Sequence, residues 1–292
     1  MITDFLTRLW PDGDPFAGSA PRGKPAITSP DHGDLESHSA AVVLGYRADR
    51  LGIAVPNPAV AERIATDPGF YAGFGAIDPL ADSLEHDLAT VIELGLTGLT
   101  IAPADQGCRP THERCRYVLE WAAARGMPVL VSNPGLTDPR SIMEFARPSL
   151  FDEVCRDLPA LRLVLGDLGR AWLDEALLMC ARHERVFAEI STIIARPAAL
   201  ESALADAHER GVTHKLFFAS GSPAMTTRSA VQAVYALIGF GRHGEPRNAV
   251  PREVLRSIVE RDSLAAVGIE RPARARALPI EDPETAEAAS WN

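Results

Sequence analysis

The stretch from Gly95 to Gly135 constrains the fold of this chain more than any other. It reads GLTGLTIAP, then ADQGCRPTHERCRYVLEWAAARG, then MPVLVSNPG. The first and last parts are short apolar runs that break into Pro, Asn and Gly, the pattern of buried parallel strands. Between them Tyr117, Val118, Trp121 and Ala122 recur at helical spacing, and Gly126 stands where a helix should stop. This is a strand–helix–strand unit. Its loops after Ile101 and Val131 fall at strand C-terminal ends, where parallel folds place their chemistry.

The same alternation repeats along the chain. ITDFL, AAVVLGY (Ala40–Tyr46), FYAGFGAI (Phe70–Ile77), RLVLG (Arg162–Gly166), RVFAEI (Arg185–Ile190) and KLFFAS (Lys215–Ser220) supply six further strands. The spacing predicts helices over Pro58–Thr66 with Asn57 as N-cap, over Ser83–Leu94 with Leu84, Leu88, Val91 and Ile92 on one face, and over Ser149–Leu158. Further helices are expected over Ala171–His183, Arg196–Arg210, Pro223–Phe240 and Pro251–Val267. Strands should end near Leu6, Tyr46, Ile77, Ala102, Ser132, Gly166, Ile190 and Ser220. Eight alternations predict a (β/α)8 TIM barrel, a single domain over residues 1–269. Residues 11–33 read as a long loop, and 270–292 as an irregular C-terminal tail rich in Pro, Ala and charge.

Composition removes several classes of function. A formal charge of −10 without a Lys/Arg run argues against nucleic acid and anionic membrane surfaces as partners. No apolar run approaches ~18 residues, so no transmembrane helix is expected. The N-terminus lacks a basic start followed by an apolar segment, so no signal peptide is expected either. The four cysteines show no C-x-x-C pairing and read as reduced thiols of a cytoplasmic protein. Cys108 and Cys115 lack the spacing or His partners of a zinc site.

With the strand ends aligned, the segments ITDFLTRLWP, YAGFGAIDP, GLTGLTIAP, RYVLEWAAARGMPVLVSNPG, LPALRLVLGDLGRAW, VFAEIST, KLFFASGSP and REVLRSIVERDSLAAVGI occur in order. In this order and spacing they resemble the amidohydrolase-related branch of the metal-dependent hydrolase superfamily, which includes decarboxylases and lactone hydrolases. The resemblance runs from about Ile2 to Ile269. It implies a divalent metal at the barrel mouth, held by H-x-H of strand one, a His after strand five, a His after strand six and the Asp of G-S-D-x-P after strand eight. Here those positions carry Leu6 and Arg8, Ser132 or Asn133, Asp167, and Gly221. Leucine and glycine cannot ligate, and arginine repels a cation. The expectation is therefore no metal, no cofactor, and either a pseudoenzyme or a small-molecule-binding protein. The alternative is a metal-independent hydrolase or decarboxylase of a small carboxylated compound, with self-association left open.

The candidate residues follow from that comparison. Arg8 and Asp167 should both point into the mouth, either bridging each other at about 2.7–3.2 Å as an internal plug, or dividing the work. In the second case Arg8 clamps a substrate carboxylate and Asp167 serves as general base. Ser132, Asn133, Glu189 and Ser220 stand beside them as substrate-binding candidates. Asp4 reads as a strand-end acceptor, and Glu189 as either a structural carboxylate or a raised-pKa acid. Ser220 and Ser222 lack the partners of a catalytic triad. None of the eight histidines falls on a ligand position, and only His32, in the long first loop, and His38, after it, are placed to reach the mouth from above.

Overall fold

A computed structural model describes residues 2–10, 14–16, 39–66, 70–238 and 250–270. The apolar runs form eight parallel strands in one sheet: β1 (Ile2–Arg8), β2 (Ser39–Leu44), β5 (Phe70–Ala76), β6 (Gly98–Ile101), β7 (Val129–Val131), β8 (Leu163–Leu165), β9 (Val186–Glu189) and β10 (Leu216–Phe217). Each pairs with its predecessor and successor in chain order. The ring is completed beyond the end of β10. Phe5 N–H donates to Phe218 O at 3.0 Å and Arg8 N–H to Ser222 O at 2.8 Å, and Thr7 bridges Ser222 in parallel. Helices α1 (Asn57–Thr66), α2 (Leu84–Glu93), α4 (Glu113–Ala124), α5 (Asp152–Asp157), α6 (Leu173–Arg182), α8 (Pro197–Glu209) and α9 (Thr227–Tyr235) follow the strands in turn. This is the (β/α)8 TIM barrel.

Period-two alternation divides the core into two layers. Val129, Val131, Leu163, Leu165, Val186 and Leu216 pack in the larger cluster with the helices. Leu130, Val164, Phe217 and Phe5 fill the barrel interior, where Phe5 meets Phe74 and Phe217 at 5.9 and 4.9 Å between ring centroids. Leu264, Val267 and Ile269 join this inner cluster, so the last described turn of the chain seals it.

Several elements differ from the sequence reading. The second strand stops at Leu44, and the chain then makes a small antiparallel hairpin, β3 (Tyr46–Ala48) with β4 (Ile53–Val55). Asn57 does not cap α1. Its side chain pairs with the backbone of β5, accepting from Ala76 N–H at 2.7 Å and donating to Ala76 O at 3.3 Å. The buried face of α4 is Cys115, Val118, Leu119 and Ala122, whereas Tyr117 is exposed and donates to Glu85. Ile92 of α2 is likewise exposed.

Helix α9 begins at Thr227, four residues later than expected, because Thr226 is the residue that accepts from Ser229 N–H. The expected single C-terminal helix is two, α10 (Arg252–Glu260) and α11 (Ser263–Ala266), since Asp262 turns its carboxylate onto Ala265 N–H at 3.1 Å and restarts the helix. His183 is the C-cap of α6, its N–H donating to Met179 O at 3.0 Å, and its ring contacts Asp152 at 2.9 Å. Most of the first loop, His32, His38 and the tail from 271 lie outside the described residues.

Candidate functional site at the barrel mouth

Arg8 ends β1, Ser132 follows β7, Asp167 follows β8, Glu189 ends β9, and Ser220 comes three residues after β10. The parallel sheet therefore delivers all of them to one rim, as the fold dictates. Arg8, Asp167 and Ser220 line a cavity of about 280 Å³, together with Trp10, Phe16, Arg170 and Thr192 among others, whereas Ser132 and Glu189 are not on its lining.

The GDLGR turn after β8 is the most constrained part of this rim. Gly166 sits so close to β7 that a Cβ there would meet Val131 O at 2.5 Å. The turn then carries three non-glycine residues at positive φ, Asp167 (55°), Leu168 (47°) and Arg170 (53°). Such backbone costs about 1–3 kcal/mol per residue and persists where the surroundings fix it. Here Glu189 accepts from Asp167 N–H through a short contact, and Arg170 N–H closes the turn onto Asp167 O at 2.8 Å. The helical turn α7 (Ser191–Ile194) faces it. Asp167 Oδ1 accepts from Ser191 Oγ at 3.0 Å and from Thr192 Oγ1.

The hydrogen-bonded bridge expected between Arg8 and Asp167 at about 2.7–3.2 Å does not form. Arg8 Nη2 lies 4.0 Å from Asp167 Oδ1, beyond hydrogen-bonding distance, and donates instead to Ser132 Oγ at 2.9 Å. The short hydroxyl side chains of Ser191 and Thr192 have already taken the oxygen that Arg8 was expected to reach. The guanidinium is largely buried, with 15% of the side chain exposed, yet it makes this one hydrogen bond among the described residues. The residue lines the cavity. A second cation stands opposite, Arg170, whose Nη1 donates to Asn133 O at 2.8 Å.

The other candidates divide by what they touch. Asn133 turns away from the mouth, its Oδ1 accepting from Ala104 N–H at 2.8 Å. Ser220 lines the cavity, while its hydroxyl accepts from Ser222 N–H at 3.0 Å and its own N–H donates to Asp4. Asp4 also accepts from Thr227 Oγ1 at 2.7 Å, tying β1 to the end of β10 and the start of α9. Glu189 is fully buried, and both its oxygens accept from backbone N–H groups, of Asp167 and Ser191.

Burial and the charge of Asp167 push the Glu189 carboxyl up to about 7, against the pull of those two donors. The folded protein thus holds this proton more tightly than the unfolded chain. The associated stability is complete below the ordinary value of 4.5 and is lost as pH rises through about 7. Compared with Glu189→Gln, which stays neutral, the wild type should lose about 3 kcal/mol of stability between these limits. Urea denaturation of both proteins across that range measures it, and a stability difference that stays constant contradicts the assignment.

Three residues at or beside the mouth carry no signal that the sequence reading used. Trp10 and Arg170 line the cavity, and Asp105, in the turn α3 (Pro103–Gln106) after β6, organises its wall. Asp105 is fully buried and accepts from Tyr46 Oη at 2.9 Å, Gly135 N–H at 2.9 Å and Ser141 Oγ at 2.7 Å. Burial raises both the Asp105 carboxyl and the Tyr46 phenol above their ordinary values. The carboxylate in A-D-Q-G, directly after a strand end, was the available clue to Asp105.

The described donors do not make up a metal site. No group of three or more His, Cys, Asp or Glu side chains among them is placed to hold an ion. At the mouth, Glu189 is committed to backbone donors and Asp167 stands beside a guanidinium.

Solved structures share the fold. An amidohydrolase from Burkholderia multivorans, with bound HEPES, superposes with a TM-score of 0.67 at 14% identity, covering 92% of this chain and 100% of that one. A probable 2-pyrone-4,6-dicarboxylic acid hydrolase from Acinetobacter baumannii, with bound citric acid, gives 0.62 at 15% identity, over 92% and 99%. A 2,6-dihydroxybenzoate decarboxylase from Rhizobium gives 0.59 at 14% identity, over 91% and 98%. No curated protein matches the chain. At such identities the superpositions establish the barrel and nothing finer. The family itself is established by sequence, because the amidohydrolase model matches residues 10–262. The chain belongs to the amidohydrolase family.

Proposed function

We infer that this protein binds a small carboxylate at the barrel mouth without a divalent ion, and that Arg8 is the group that holds it. The observation carrying this reading is the largely buried Arg8 guanidinium, on the lining of a cavity of about 280 Å³ and with one hydrogen bond among the described residues. A planar fork of N–H donors left open in a cleft matches a carboxylate bidentately. Arg8 also stands where the family places a ligand, so the cation needed to attract the anion is supplied by the chain. Structural neighbours that act on carboxylated compounds, or hold citric acid, agree with that ligand class. The four cysteines, free and buried, agree with a cytoplasmic setting. Association with further copies of the chain is compatible with this reading.

A thermal-shift screen of citrate, 2,6-dihydroxybenzoate and other small mono- and dicarboxylates, run with EDTA, tests the proposal. At least one acid should raise Tm with EDTA present. Stabilisation that appears only after zinc or manganese is added contradicts it.

A second reading, decarboxylation or hydrolysis without metal, draws on Asp167, which lines the cavity 4.0 Å from Arg8. Asp167 could then deliver a proton to the substrate carbon as CO2 leaves. Release of CO2 from 2,6-dihydroxybenzoate in EDTA, abolished by Asp167→Asn, selects this reading.

A further inference from the structure

Two of the four cysteines form a pair that the reading of the barrel mouth leaves unused. Cys108 follows the α3 turn directly after Gly107, whose left-handed backbone (φ 71°) ends that turn, and Cys115 sits in the first turn of α4. Both are free and buried, and their thiols meet in a hydrogen-bonded contact. The Cys108 sulfur also accepts from the Cys115 backbone N–H, one of the donors that a helix N-terminus leaves without a partner in the helix. The Cys115 thiol holds Cys108 below its ordinary value, with help from that N–H and from the Arg114 charge, against the effect of burial. The same contact, together with burial, pushes Cys115 well above its own. One sulfur is thus the readier nucleophile, and its neighbour keeps a proton to give. The other two cysteines differ. Burial pushes Cys155 and Cys180 up to about 12, and the charged groups that act on them are Asp152 and Lys215 rather than a second thiol.

We propose that Cys108 and Cys115 are a redox modification site, closed by hydrogen peroxide to a reversible disulfide. The Cys108 thiolate attacks one peroxide oxygen, the O–O bond breaks, and a sulfenic acid and hydroxide form. Cys115 then attacks the Cys108 sulfur while its proton passes to the departing oxygen, which leaves as water. Two electrons pass from sulfur to peroxide, and the products are the disulfide, one water and one hydroxide. Closing the bond brings the sulfurs from contact to about 2.05 Å. The turn between them can supply that movement and admit a water-sized oxidant, since Arg109 and His112 within it are exposed. The crosslink ties the end of the α3 segment, which carries Asp105, to the first turn of α4. It is independent of what binds at Arg8.

Peptide mapping of the folded, reduced protein after hydrogen peroxide treatment tests this. Remaining thiols are alkylated on denaturation and the digest is run without reductant. Cys108 should appear linked to Cys115, and dithiothreitol should restore both thiols. Cys155 and Cys180 should be alkylated as free thiols, their oxidation slower by at least about 10-fold. In Cys115→Ser, which keeps a hydrogen-bond donor beside Cys108, the reaction should stop at the Cys108 sulfenic acid, captured by dimedone. The wild-type map stands whether or not that variant folds. Loss of all four thiols at one rate, oxidation of Cys108 to sulfinic acid without a linked peptide, or survival of both thiols in a large excess of peroxide overturns the proposal. A Cys108 that dimedone does not capture in folded Cys115→Ser overturns its role as the attacking sulfur.

Discussion

Arg8→Ala should abolish most of the affinity for small carboxylates while leaving the fold nearly as stable as before. A buried, hydrogen-bonded charge pair loses about 2–5 kcal/mol when one partner is truncated, so binding should weaken roughly 30-fold or more. Stability should change by only about 1 kcal/mol, because the guanidinium gives up one hydrogen bond to Ser132 and an ion pair stretched to 4.0 Å. Calorimetry and urea denaturation of the same variant separate the two effects. An Arg8 that served as a structural plug behaves oppositely, with a large stability loss and unchanged binding. Arg8→Lys sharpens the comparison, since it retains the charge and loses the planar fork.

Asp105→Ala should be strongly destabilising, because Asp105 ties together segments that lie behind the cavity lining. The carboxylate is fully buried and accepts from a phenol, a backbone N–H and a serine hydroxyl. Removing it strands two donors, the Tyr46 hydroxyl on β3 and Gly135 N–H, while the Ser141 hydroxyl keeps Gly135 O as an acceptor at 2.8 Å. Each stranded buried group costs about 1–3 kcal/mol, so a loss of roughly 3–5 kcal/mol is expected, allowing for partial rescue by water. Tyr46→Phe and Ser141→Ala each remove one donor and should cost about 1 kcal/mol. Chemical denaturation of the three variants measures this ordering. A loss below 1 kcal/mol in Asp105→Ala shows that the network does not support the mouth.

The barrel was legible in the chain because burial on both faces makes each strand a continuous apolar run ending in Gly, Pro, Asn or Asp. Seven of the eight strand ends fell within two residues of where those runs break, and the last lay three away. The β3–β4 hairpin was not legible, since three-residue strands leave no period to detect. Asn57 illustrates another limit. Its type and position fit an N-cap, but a strand edge packed beside it offers both an N–H and a carbonyl, and tertiary contact overrides the local preference.

The candidate site was legible in part. Strand ends predict which residues reach the rim, and Arg8, Ser132, Asp167, Glu189 and Ser220 all do. They do not predict which partner each side chain finds there. The Arg8–Asp167 bridge failed because two hydroxyls one turn away compete for the same carboxylate oxygen, and because left-handed backbone at Asp167 directs that carboxylate toward α7. Trp10 gave no sequence signal, because an aromatic residue near a strand end is ordinarily core. Only coordinates reveal that its N–H is buried with no acceptor among the described residues.

We propose that the Arg8 guanidinium recognises the anion in place of a metal ion. A crystal structure of EDTA-treated protein with 2,6-dihydroxybenzoate, or whichever acid gives the largest thermal shift, tests it most directly. The carboxylate should lie within about 2.7–3.2 Å of the Arg8 guanidinium, inside the cavity that Trp10 and Arg170 also line, with no metal between ligand and protein. A carboxylate coordinated to a divalent ion at the mouth, or one bound away from Arg8, contradicts the account.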